Sequence, residues 1–106
     1  MSATYPLEVA TDDEYATRVG LVLRTARYFR DVTREAVAEG CEVSAETVAR
    51  WERGNVAIPG HALARLAEVL SLPADLLLDP PATRGETLVK IAAFDQARAY
   101  PGEPRP

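Results

Sequence analysis

Between residues 33 and 54 the sequence TREAVAEGCEVSAETVARWERG gathers Arg34, Ser44, Glu46, Thr47, Arg50 and Arg53. These are hydrogen-bonding and charged groups suited to recognition, not to breaking covalent bonds. The groups that could do harder chemistry are few. His61 is the single histidine and sits at an expected helix start without a second ligand nearby, so no metal site is expected. Cys41 is the single cysteine and falls at an apolar position, which suits a packed thiol better than a redox sensor. The carboxylates are scattered over helix surfaces, and there is no Ser-His-Asp set, phosphate loop or Gly-rich cradle. Neither an enzyme nor a cofactor is expected.

Two short helices must position these groups. Thr33 suits the N-cap of the first, its hydroxyl accepting a free amide hydrogen of the opening turn. Val37, Ala38 and Cys41 then make one small apolar face. Ser44 suits a second N-cap, ahead of a helix over 45–53. There Val48 and Trp51 face inwards as core residues, leaving Glu46, Ala49, Arg50 and Arg53 outwards. Gly54 stops this helix, because glycine takes the left-handed cap conformation without a Cβ penalty. Two short helices sharing one apolar seam form a helix-turn-helix. Taken alone, the outer face is a solvated helix surface, with Glu46 and Arg50 paired at i, i+4 for about 0.3–0.5 kcal/mol.

The stretch resembles the Cro/phage-repressor (XRE) helix-turn-helix family. Val32-Thr33, Glu35, Val37-Ala38, Val43-Ser44, Thr47-Val48 and Trp51-Glu52-Arg53-Gly54 fill the family's motif at its spacing. Downstream, Pro59, Leu63, Leu66, Ala67 and Leu70 match the proline and the next helix, so the likeness runs over 18–78. It implies an all-α, five-helix Cro/repressor-like domain that binds DNA. By this resemblance Ala45, Glu46, Thr47, Ala49 and Arg50 hold the base-facing positions, while Arg34, Ser44 and Arg53 are placed to meet phosphates. Arg50 could donate two hydrogen bonds to a guanine, Glu46 could accept from a cytosine amine, and Ala45 or Ala49 could touch a thymine methyl. Phosphate contacts fix register without reading sequence.

Two positions depart from the family. Its phosphate-touching glutamine is Arg34 here, which brings a charge to the same task. Its turn glycine is Glu42 here, and a glutamate at positive φ costs on the order of 1–2 kcal/mol. Gly40, two residues earlier, offers the alternative of ending the first helix sooner.

The remaining chain supplies the scaffold. Residues 1–11 lack a helical period and are expected to be a flexible arm, either a tail or a segment packing on a partner subunit. Asp12 suits the cap of a long helix over 13–30, whose apolar stripe is Tyr15, Val19, Val22, Leu23, Ala26 and Phe29, with Arg18, Arg24, Arg27 and Arg30 on other faces. A helix follows from Pro59-Gly60-His61 to about Ser71, and another over 74–78 with Pro73 in its first turn. Domain 12–80 is thereby complete. Segment 81–100 carries an additional C-terminal helix with Leu88, Ile91 and Phe94, which either caps the domain or forms a dimer contact. Residues 101–106 form a polar, proline-rich tail for which disorder is expected.

Composition sets the outer limits. At 106 residues one helical core suffices. One cysteine fits a reducing compartment, and no signal peptide or apolar run long enough to span a membrane is seen, so a cytoplasmic location is expected. Eleven arginines against one lysine suggest a GC-rich coding genome, and the family resemblance implies a bacterial or phage source. The net charge of −4 is unusual for a nucleic-acid binder, but it divides into +2 over residues 18–65 and −6 over the rest. Weak non-specific binding is therefore expected, leaving specific contacts or dimerisation to carry more.

Two function classes follow. One is a sequence-specific transcription regulator, repressor-like, working as a homodimer on a palindromic operator without metal or cofactor. The other is an interaction module, antitoxin-like or regulator-binding, that keeps the fold, lacks base readout and meets a protein partner.

Overall fold

The computed structural model describes residues 12–99, all of whose regular elements are helices. The arm expected over 1–11 and the tail over 101–106 lie outside the described residues. The helices are α1 (Asp12–Arg30), α2 (Arg34–Cys41), α3 (Ala45–Arg53), α4 (Gly60–Val69), α5 (Ala74–Leu78) and α6 (Arg84–Ala99). This is the all-α order anticipated, with α1 starting one residue early and α4 ending two residues before Ser71. Pro59 and Pro73 stand just outside α4 and α5 as N-caps in extended conformation, so neither lies in the first turn itself.

The core is one cluster. Val19, Val22, Leu23 and Ala26 of α1 meet Val37 and Ala38 of α2 and Val48 and Trp51 of α3; Leu66, Leu70, Leu76 and Leu77 close it from below. The Tyr15 hydroxyl donates to the Leu77 carbonyl at 2.6 Å, tying α1 to α5. Burial pushes this phenol's pKa above its ordinary value.

Phe29 departs from the expected stripe, being 45% exposed. The inward place at that turn belongs to Arg30, whose guanidinium lies 5.3 Å from the Phe29 ring centre. Arg30 donates to the carbonyls of Leu70 (2.9 Å) and Ser71 (2.8 Å) and grips both carboxylate oxygens of Asp95, at 2.7 and 2.8 Å. One side chain thus covers the end of α4 and pins α6.

Helix α6 docks on α1 through Thr87 and Ile91, each fully buried. Ile91 must therefore be removed from the proposed dimer contacts, because the chain's own helices enclose it. Leu88 and Phe94 remain half-buried, and Val89 is 68% exposed.

The Arg30 hydrogen bond holds the Asp95 carboxyl below the usual carboxylate range. A folded-state pKa below the unfolded one gives stability that is present above the unfolded value and lost as pH falls through the folded one. Asp95→Asn is thus expected to lower stability near pH 6 by up to about 1 kcal/mol, since solvent screens a pair this open. In urea titrations the difference between variant and parent should shrink once pH drops below about 4. A difference that persists at low pH would assign the effect to packing.

Candidate nucleic-acid interface

The two motif helices are built as their capping residues dictate. Thr33 Oγ1 accepts the Ala36 amide at 3.0 Å and Ser44 Oγ accepts the Thr47 amide at 3.1 Å. Gly54 closes α3 at φ 73°, its amide donating back to the carbonyls of Arg50 and Trp51. The turn between the helices is resolved in favour of Glu42. It takes the left-handed conformation at φ 60°, and its amide donates to the carbonyls of Ala38 and Glu39. Helix α2 therefore runs on to Cys41 instead of ending at Gly40. Gly40 has a packing role: a Cβ there would lie 2.7 Å from a Val69 methyl. Cys41 is half-buried, and desolvation raises its thiol pKa, which disfavours the reactive thiolate.

On α3, Val48 and Trp51 point into the core, and the side chains of Glu46, Arg50 and Arg53 are 64%, 53% and 54% exposed. Ala45, Thr47 and Ala49 lie half-buried on the flanks of that face. The Thr47 hydroxyl is 3.0 Å from that of Ser44, so it is engaged with the cap. One Glu46 carboxylate oxygen stands 3.8 Å from Arg50 Nε and 3.7 Å from Arg53 Nη2. These are loose, solvent-screened contacts that a phosphate or a base edge can displace.

Arg34, the first residue of α2, lies against the last turn of α3. Its Nε donates to Glu52 Oε1 at 3.1 Å, while 43% of the side chain stays exposed. Glu52 itself is 3% exposed in its side chain and also receives Arg27, through Nε at 2.6 Å and Nη2 at 3.3 Å. Arg27 donates further to the Val32 carbonyl at 3.2 Å. The Glu52 hydrogen bond holds the Arg27 pKa above its ordinary value, against the opposing effect of burial. This buried bridge joins α1, α2 and α3, and it corrects the placing of Arg27 away from the buried face of α1. The sequence places Glu52 in the family motif and Arg27 off the apolar stripe, without pairing them. The signal was there: Glu52 is four residues after Val48, and Arg27 is four after Leu23. Each is a charge on a buried helical stripe, and the two are opposite in sign.

Among the described residues no group of three His, Cys, Asp or Glu side chains could hold a metal ion, and no helix is long and apolar enough to cross a membrane. What the surface offers is a helix face of two arginines and a glutamate, with a third arginine anchored beside it.

Known proteins share this fold. A family model described as a helix-turn-helix domain matches residues 18–79, from within α1 to the end of α5. A solved structure of the clp gene regulator ClgR from Corynebacterium glutamicum is 27% identical, with a TM-score of 0.61 over 81% of this chain and 89% of that one. A second structure of ClgR from C. glutamicum aligns at 24% identity with a TM-score of 0.53, covering 74% of this chain and 90% of that one. No functionally curated protein matches the chain. The matched model spans more than half of the residues, and the two capped helices at its centre are those described above: the chain belongs to the helix-turn-helix domain family, of the Cro/repressor type.

Proposed function

We propose that this protein is a sequence-specific DNA-binding transcription regulator that lays α3 in the major groove. It acts in the cytoplasm, without enzymatic chemistry, as a homodimer on a palindromic operator. The observation that carries this reading is the solvent face of α3, where Arg50, Arg53 and Glu46 stand together on a helix clamped from behind by a buried ion pair. Similarity to the clp gene regulator ClgR supports a regulatory role. Arg50 and Glu46, with Ala45, Thr47 and Ala49 beside them, serve as the reading surface. Arg34, Ser44 and Arg53 serve the phosphates. Leu88 and Phe94 of α6 are the residues left for a dimer contact.

The test is selection from a random DNA pool at low salt, followed by salt titration of the selected duplex. A palindrome with half-sites about 34–36 Å apart is the expected product. On that duplex Arg50→Ala should cost roughly 1–3 kcal/mol and relax one base preference. Arg34→Ala should instead weaken all sequences alike and reduce the salt slope by about one. If no sequence is enriched, the regulator reading fails and the fold must serve a protein partner.

A further inference from the structure

The junction of α1 with the start of α6 holds a cleft that lies apart from the α3 face. Its volume is about 210 Å³, and its walls are Leu21, Arg24, Thr25, Tyr28 and Arg84. Two of these five are arginines and none is acidic. Two other clefts carry carboxylates beside their cations: Arg18 and Lys90 share one with Asp75, Asp79 and Glu86, and Arg30 and Arg98 share another with Asp95, which pairs with Arg30. Uncompensated positive charge in a concave site attracts anions.

The hydroxyls add direction. Thr25 is only 3% exposed, yet its hydroxyl has no hydrogen-bond partner among the described residues. Buried polar groups are normally satisfied, so an unmatched one in a cleft wall marks a place for a bound group. Water could satisfy Thr25, whereas an oxyanion would meet both its hydroxyl and the two exposed guanidiniums. The Tyr28 phenol is open to solvent, and the neighbouring Arg24 and Arg27 draw its pKa below the ordinary phenol value. Arg84 is the first residue of a 16-residue helix, so the positive end of the α6 dipole opens at the same place.

We infer that this cleft is a binding site for a small oxyanion, a phosphate ester or carboxylate metabolite, clamped by Arg24 and Arg84 with the Thr25 and Tyr28 hydroxyls as further donors. Leu21 supplies the apolar floor. Because Arg84 belongs to α6 and the other donors to α1, a bound anion fastens the first turn of α6 to α1. The far end of that contact is already held by Arg30 and Asp95.

The inference does not rest on operator binding, and its test contains no DNA. Pyrophosphate is titrated into the full chain at constant ionic strength, with amide NMR spectra as the readout. Saturable shifts confined to residues 21–28 and 84–87 are expected. Arg84→Ala should weaken binding about tenfold or more, as expected for a charged hydrogen-bond partner. Thr25→Val, which keeps the volume and removes the hydroxyl, should weaken it several-fold without disturbing the remaining spectrum. Lys90→Ala, in the neighbouring cleft, should bind like the parent. Shifts that never saturate, that spread over all the arginines, or that survive both Arg84→Ala and Thr25→Val would overturn the assignment.

Discussion

Glu52→Ala is expected to lower the unfolding free energy by about 3–5 kcal/mol, the usual result of removing one partner from a buried ion pair. The carboxylate is nearly sealed from solvent, and Arg27, its closest partner, has a side chain only 9% exposed. Without Glu52, the Arg27 guanidinium keeps the Val32 carbonyl but no countercharge. Domains of this size are stable by only about 5–15 kcal/mol in all, so the variant should unfold at markedly lower urea concentration. A double variant separates charge from packing. Replacing both Arg27 and Glu52 with methionine removes the pair but fills the space, and such exchanges are often neutral or stabilising. A loss below about 1 kcal/mol in Glu52→Ala would contradict the buried bridge.

The bridge also bears on recognition. Glu52 lies on the same helix as the residues proposed to face bases, and it is bonded to both α1 and α2. The tilt of α3 against the rest of the domain is set in part by this one carboxylate. Arg34 shares it, so an expected phosphate contact and the internal frame meet at a single residue. The loose contacts of Glu46 stand in contrast: they cross solvent, and DNA can rearrange them at little expense.

Much of this was legible in the sequence because it is local. Caps at Thr33 and Ser44, the stop at Gly54 and the inward pair Val48 and Trp51 depend on neighbours within four residues, and each was found where its residue type required. The turn was ambiguous for a physical reason. Glu42 at positive φ carries a local penalty, and only the fit of Gly40 against Val69, a contact across 29 positions of sequence, shows why the glycine is not the cap. Phe29 and Arg30 were exchanged for the same reason. An apolar period assigns the inner place to the phenylalanine, whereas the carbonyls of Leu70 and Ser71 and the distant Asp95 reward the arginine. Ile91 looked available to a second copy because the face of α1 that covers it could not be seen from its own helix. For the candidate interface, position came from the family resemblance; the Arg27–Glu52–Arg34 bridge needed three helices in place.

Gly20→Ala is expected to be the other severe substitution, with the sign opposite to that of an ordinary helix. Within a helix alanine normally stabilises by roughly 0.5–1 kcal/mol over glycine. At Gly20 an added Cβ would lie 2.6 Å from the carbonyl oxygen of Glu52 and 2.7 Å from that of Trp51. Both are backbone atoms in the last turn of α3, so no rotamer change can relieve the clash. The helices α1 and α3 must separate, and overpacking of this kind costs about 1–3 kcal/mol or more. Gly85, in α6, provides the internal comparison because nothing lies within 4 Å of its Cβ position. Gly85→Ala should therefore leave stability unchanged or raise it, by at most about 1 kcal/mol. Chemical denaturation of the two variants side by side isolates the contact from the propensity. Since separation of α1 from α3 also pulls on the Arg27–Glu52 bridge, Gly20→Ala should lower affinity for a selected operator even where the protein remains folded. Equal stability in the two variants would mean that α3 does not rest on α1 as closely as 2.6 Å implies.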